Sequence, residues 1–139
     1  MKYLWMAGAL ALLGFSYASR SPEPYRVVFD LTSRDTLHQK AVLRWIGEIS
    51  AADPKAEEIE VVMYSKGFEL VMPERSQFAA GVKEAMKNPH VKFKVCAIAM
   101  KNNGIEKSQL LPGVEIVPDG IQAIVARQQQ HWGYIKAAL

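Results

Sequence analysis

The chain has 139 residues, 50% of them hydrophobic and 22% charged, with a formal net charge of +3. That length supports one domain, and the composition is that of an ordinary globular protein, which excludes a disordered tail and a collagen-like repeat. The basic excess is too slight for a dedicated nucleic-acid binder. A single cysteine, Cys96, makes neither an internal disulfide nor a Cys-rich zinc site.

The first element is a targeting segment. In MKYLWMAGALALLGFSYA, residues 1–18, Lys2 gives a positive start and Tyr3 to Phe15 form an apolar run. Ser16-Tyr17-Ala18 then places small residues at a signal-peptidase site, so cleavage is expected after Ala18. The apolar run falls short of the roughly 20 residues of a membrane span, so no stable membrane anchor remains after cleavage. An uncleaved N-terminal anchor is the alternative. No cysteine lies near the cleavage site, which excludes a lipoprotein. Export places the mature protein in a bacterial periplasm, an oxidising compartment where Cys96 has no partner within its own chain. Residues 19–24 read as a flexible leader, and 25–139 as one α/β domain.

Tyr25 to Leu31 (YRVVFDL) is rich in β-branched and aromatic residues and predicts a strand. Thr32 and Ser33 are candidate N-caps for a helix over 34–50. Its inward face would be Leu37, Ala41, Val42, Trp45, Ile46 and Ile49, before Asp53-Pro54 ends it. Glu58 to Tyr64 predicts a second strand, and Ser65-Lys66-Gly67 a turn. Pro73 suits the first turn of a second helix, with Phe78, Val82, Ala85 and Met86 facing inward. The acids of 53–60 read as a solvated loop and strand start. Val91 to Val95 predicts a third strand with Cys96 at its end. A short helix follows over 97–101, stopped by Asn102-Asn103-Gly104. Pro112-Gly113 leads into a fourth strand over 114–117. Pro118-Asp119-Gly120 opens a last helix with Ile121, Ile124 and Val125 on one face.

Strands alternating with helices argue for right-handed crossovers. The expected fold is therefore α/β, a single-domain three-layer sandwich with a mainly parallel sheet of four to five strands. In such a sheet chemistry sits at the carboxyl ends of the strands. Four positions converge there: Thr32-Ser33, Ser65-Lys66-Gly67, Cys96 and Pro118-Asp119-Gly120.

Cys96 lies between a strand end and a helix start, where the first backbone N–H groups favour a thiolate. Lys101, nearby in sequence, adds to that field. The alternative is a small buried residue packed under a helix. His38, His90 and His131 lack the order of a nucleophilic triad, and no CxxC is present, so neither a Cys-His hydrolase nor dithiol redox chemistry is indicated. A lone thiolate can still carry sulfur as a persulfide, with no cofactor. No nucleotide-binding fingerprint and no metal-ligand spacing appear. Lys92 and Lys94 alternate with apolar residues, so one face of the third strand meets polar surroundings. Trp132 and Tyr134 either anchor a subunit contact or pack on their own domain.

The segment VKFKVCAIAMKNNGI, residues 91–105, resembles the cysteine motif of the DsrE/DsrF-like family at Val95, Cys96, Ala97, Ala99, Gly104 and Ile105. The surrounding order is similar at Val27 to Leu31, Val61 to Gly67, Pro112-Gly113-Val114 and Val117-Pro118-Asp119-Gly120. The tail QQHWGYIK, residues 129–136, resembles the ending of a secreted branch, with His131 where that pattern has glycine. The resemblance spans about Tyr25 to Lys136. It implies a compact α/β fold and a homotrimer or homohexamer. It also implies sulfur relay through a persulfide on Cys96, with unidentified sulfur donor and acceptor proteins. The best understood relays of this kind are cytoplasmic, so an exported chain implies different partners. Lys101, Asn102, Lys66 and Gly67 are the expected supporting residues, with Asn103 also at the approach. Two other readings stand beside this one: a non-enzymatic module binding a small ligand or protein with Cys96 merely buried, and a chain that uses Cys96 for an intermolecular disulfide.

Overall fold

The computed structural model describes residues 23–53 and 55–138, so the signal segment and the start of the leader lie outside the described residues. The β-branched run Tyr25–Leu31 forms strand β1, as its composition predicts. Helix α1 spans Thr36–Ala51. Its N-cap is Asp35, whose carboxylate accepts the Leu37 N–H at 2.8 Å. Ser33 instead accepts the Asp35 N–H through its hydroxyl at 3.0 Å, which orients the cap rather than forming it. Ala41, Val42 and Ile46 of α1 are buried as predicted, but Leu37 lies in the first turn, off the stripe that meets the sheet, and is 61% exposed.

Strand β2 is Ala56–Met63. After it the chain departs from expectation. Gly67–Val71 forms a 3-10 helix that buries Phe68, Leu70 and Val71, and Pro73 does not start a helix. The Met72 carbonyl accepts the N–H groups of Arg75 and Ser76, closing a turn there, and the Ser76 hydroxyl accepts the Phe78 N–H at 3.0 Å. These local bonds delay the second helix, α2, to Ala79–Ala85, and only Val82 of it is fully buried. Strand β3 is Val91–Cys96 and helix α3 is Ala97–Asn102. Glu106 and Gln109 close a further 3-10 turn over Lys107–Gln109 by a reciprocal cap. Strand β4 is Glu115–Val117 and helix α4 is Gly120–Gln129. Of the three residues expected to face inward from α4, only Ile124 is buried; Ile121 and Val125 are 49% and 41% exposed. The tail forms a fifth strand, β5, Gly133–Lys136.

The sheet order is β4-β3-β2-β1-β5 and every pairing is parallel. Period-two alternation gives it two unlike faces. Val27, Phe29, Leu31, Ile59, Val61, Met63, Phe93 and Val95 belong to one continuous apolar core, shared with Val42 and Ile46 of α1 and Val82 of α2. Phe29 stacks on Trp45 at 6.2 Å between ring centres. The opposite face, under α4, has a smaller apolar cluster of Val28, Val62, Ile124 and Trp132.

That second face also carries charge. Glu60 is 1% exposed, not part of a solvated strand start. Lys94 donates to it at 2.6 Å, and Arg127 of α4 makes two bonds to its oxygens at 2.8 Å. The polar surroundings expected for Lys94 are therefore internal. Burial disfavours the charged Glu60, but the bonds from Arg127 and Lys94 outweigh it and hold its carboxyl below the ordinary value. Trp132 is buried in its own domain, with Arg26 and Arg127 guanidinium groups 5.3 and 4.7 Å from its ring centre. His131 adopts φ +62°, the left-handed conformation that the glycine of the family tail pattern would favour.

Candidate functional site

Parallel pairing sends the C-terminal ends of β2 and β3 to the same edge of the sheet, where α3 and α4 begin. Between them lies a crevice of about 470 Å³ lined by Tyr64, Ser65, Lys66, Cys96, Ile98, Ala99, Asn102, Asn103, Asp119 and Ile121. Cys96, the last residue of β3 and the residue before α3, is part of its wall but only 4% exposed.

Each wall has a local cause. Asp119 caps α4: its carboxylate accepts the N–H groups of Ile121 and Gln122 at 2.8 and 3.3 Å. Gly120, the first residue of α4, packs where a Cβ would come 3.1 Å from the Cys96 Cβ and 3.4 Å from two Tyr64 carbons. The absent side chain lets the helix start press against both residues. Ser65 takes φ +54° directly after Tyr64 and turns the chain out of β2. Lys66 then reaches across the crevice, its Nζ donating to Asn103 Oδ1 at 2.5 Å, while Asn103 Nδ2 donates to the Ala99 carbonyl at 2.7 Å. A cation is thus tied to the helix that follows the cysteine.

Of the predicted supporting residues, Lys66 and Asn102 line the crevice with Cys96, as does Asn103. Lys101 is exposed on α3 and does not line it. Gly67 lies buried behind the turn, where a Cβ would fall 1.9 Å from the Leu31 carbonyl oxygen. Its role is to let β2 exit tightly past β1. Thr32 takes part only through its carbonyl, which accepts the Lys66 N–H at 3.1 Å. Among the described residues no histidine lines the crevice, and none of their His, Cys, Asp and Glu side chains form a group of three able to hold a metal ion.

Tyr64 and Asp30 were not anticipated. The Tyr64 hydroxyl donates to Asp30 Oδ2 at 3.2 Å, and the Tyr134 hydroxyl from β5 donates to the same oxygen at 2.6 Å. Asp30 is 4% exposed, and its Oδ1 has no hydrogen-bond partner among the described residues. Burial first, then the Asp30 charge and hydrogen bond, push the Tyr64 phenol up to about 12. The bond to Asp30, with burial and the carboxylate charge behind it, does the same for Tyr134. The signal available in sequence was a lone acid inside the apolar strand Val27-Val28-Phe29-Asp30-Leu31.

The site can present a thiol to a ligand entering between an apolar rim, Ile98 and Ile121, and a polar wall, Lys66, Asn102 and Asn103. No described helix is long and apolar enough to cross a membrane. The model of the DsrE/DsrF-like family matches residues 26–137. A solved structure of a protein of unknown function from Methanobacterium thermoautotrophicum is similar to the chain at 33% identity, with a TM-score of 0.68. The match covers 81% of this chain and 98% of that one. No curated protein matches the chain.

Proposed function

The chain belongs to the DsrE/DsrF-like family, and from that premise we propose that it is a sulfur carrier working through a persulfide on Cys96. The observation that carries the reading is the placement of the sole cysteine in the wall of the strand-end crevice. In the proposed step the Cys96 thiolate attacks the outer sulfur of a donor persulfide, R–S–SH. The new S–S bond forms at Cys96, the old one breaks, and R–S⁻ leaves. An acceptor thiolate then attacks the outer sulfur of Cys96–S–SH and returns the Cys96 thiolate. No oxidant or cofactor is consumed. Lys66, Asn102 and Asn103 supply the donors that can hold an anionic outer sulfur or the carboxylate of a donor molecule. Export through residues 1–18, a periplasmic site of action and a homotrimer or homohexamer belong to the same proposal. They rest on the signal-type segment and on the family resemblance.

One observation favours a second reading. Cys96 is only 4% exposed, which suits a binding module of this fold whose cysteine is a packed residue. Intact-mass measurement after incubation with polysulfide separates the two. Sulfur carriage predicts a gain of one sulfur atom that is absent in Cys96→Ala. No gain, with a thiol inert to alkylation from mildly acidic to mildly alkaline pH, overturns it. A covalent dimer that disappears on reduction would support an interchain disulfide instead.

A further inference from the structure

Cys96 and Tyr64 end neighbouring strands. Met63 pairs with Val95 across β2 and β3, so the next residues stand side by side, and both touch Gly120. Yet the two side chains do not serve each other. The Tyr64 hydroxyl is bonded to Asp30 on β1, the strand on the far side of β2 from β3. The hydroxyl end of the ring is therefore directed toward β1. Its anchor is asymmetric: one Asp30 oxygen holds two phenols, Tyr134 at 2.6 Å and Tyr64 at 3.2 Å, while the other has no partner among the described residues.

We propose that Tyr64 is a positioning residue for Cys96: latched to Asp30, its ring is held toward β1, which keeps room beside the thiol for an incoming sulfur donor and for the outer sulfur of the persulfide. Without the latch the ring is free to take another staggered rotamer and fill the crevice. The phenol remains protonated well beyond neutral pH, so it donates to Asp30 under any working condition. Tyr134 belongs to the same assembly, and through it the C-terminal strand bears on the space around Cys96. The inference rests on Cys96 being the working thiol.

The test is the second-order rate of Cys96 modification by iodoacetamide and by a bulky aromatic disulfide, with the melting temperature of each variant recorded. Tyr64→Phe keeps the ring and loses the latch, and it should slow the bulky reagent about fivefold, the rate equivalent of one hydrogen bond. Asp30→Asn should slow it in the same sense, because a neutral amide is a weaker acceptor. Tyr64→Ala removes the ring and should speed both reagents. A general loosening of the fold would speed modification in all three. The proposal is overturned if Tyr64→Phe reacts as fast as the parent or faster. Because this variant retains the aromatic packing, it decides the matter even where the alanine variant does not fold. A parent thiol inert to both reagents overturns the sulfur-carrier reading itself. A reactive parent with an unchanged Phe variant overturns the latch alone.

Discussion

The two faces of the sheet are built on opposite principles. Toward α1 and α2 the strands present a near-continuous apolar surface, with Phe29, Val61, Phe93 and Val95 fully buried. Toward α4 the same strands present Asp30, Glu60 and Lys94, all buried, beside a cluster of four apolar residues. Burying apolar area stabilises without regard to direction. A buried charge is tolerated only with its partners in place, and so fixes geometry. The first face holds the domain together. The second places α4, through Arg127 on Glu60, and Tyr64, through Asp30. Both border the crevice at Cys96. The apolar face contributes non-directional burial, and the polar face sets the position of groups that border the crevice.

That contrast makes graded predictions. On the apolar face, Phe93→Ala should cost about 3–5 kcal/mol in denaturant unfolding, with no change in Cys96 chemistry while the chain stays folded. On the polar face, Glu60→Gln leaves Arg127 and Lys94 against a neutral amide, with Glu115 at 3.6 Å still near Lys94, and should cost about 3 kcal/mol at neutral pH. Its pH dependence distinguishes it from a packing loss. The folded Glu60 carboxyl titrates below its ordinary value of 4.5, so its contribution is complete above that pH. It is lost as pH falls through the lower folded value. The gap between parent and Glu60→Gln should therefore close in acid, while that of Phe93→Ala should not close in the same way.

Smaller effects sharpen the comparison. Tyr64 and Tyr134 titrate near 12 when folded, against an ordinary 10.0. Because the folded values are raised, stability from the two phenols is whole below pH 10 and is lost between there and 12. Ultraviolet titration should show two fewer late-titrating phenols in Tyr64→Phe/Tyr134→Phe than in the parent. Asp119→Ala removes the α4 cap and should cost about 1 kcal/mol, moving the helix start that presses on Cys96. The least effect is expected at the α4–β5 turn. There His131→Gly relieves a left-handed residue and should leave stability unchanged or raise it by up to ~1 kcal/mol.

The fold was largely legible because the strands of this protein carry their own pattern. Tyr25–Leu31 was readable from its β-branched run and matches β1 residue for residue. Tertiary context overrode local pattern elsewhere. Ile121 and Val125 have helical spacing with Ile124, yet the sheet under α4 is partly charged and takes in Ile124 alone. Pro73 resembles a helix start, but the turn at Met72 and the Ser76 hydroxyl claim the backbone first. At the site, Lys66 and Asn102 could be placed because chain order brings strand ends together. Lys101 could not, since nearness in sequence on a short helix does not decide which face a side chain takes. The Asp30–Tyr64–Tyr134 group joins residues 104 positions apart, and no local pattern encodes that meeting.

The same distance has a consequence for how the molecule is made. β1 is the earliest described strand, but one of its sides is covered only by β5, through pairs running from Val27 with Gly133 to Asp30 with Lys136. During synthesis that edge stays bare until Lys136 has emerged. Contacts of such long sequence separation slow folding, because the loop must close before they form. A ribosome stalled before Lys136, or a protease that trims the tail, would leave an unpaired parallel edge open to aggregation.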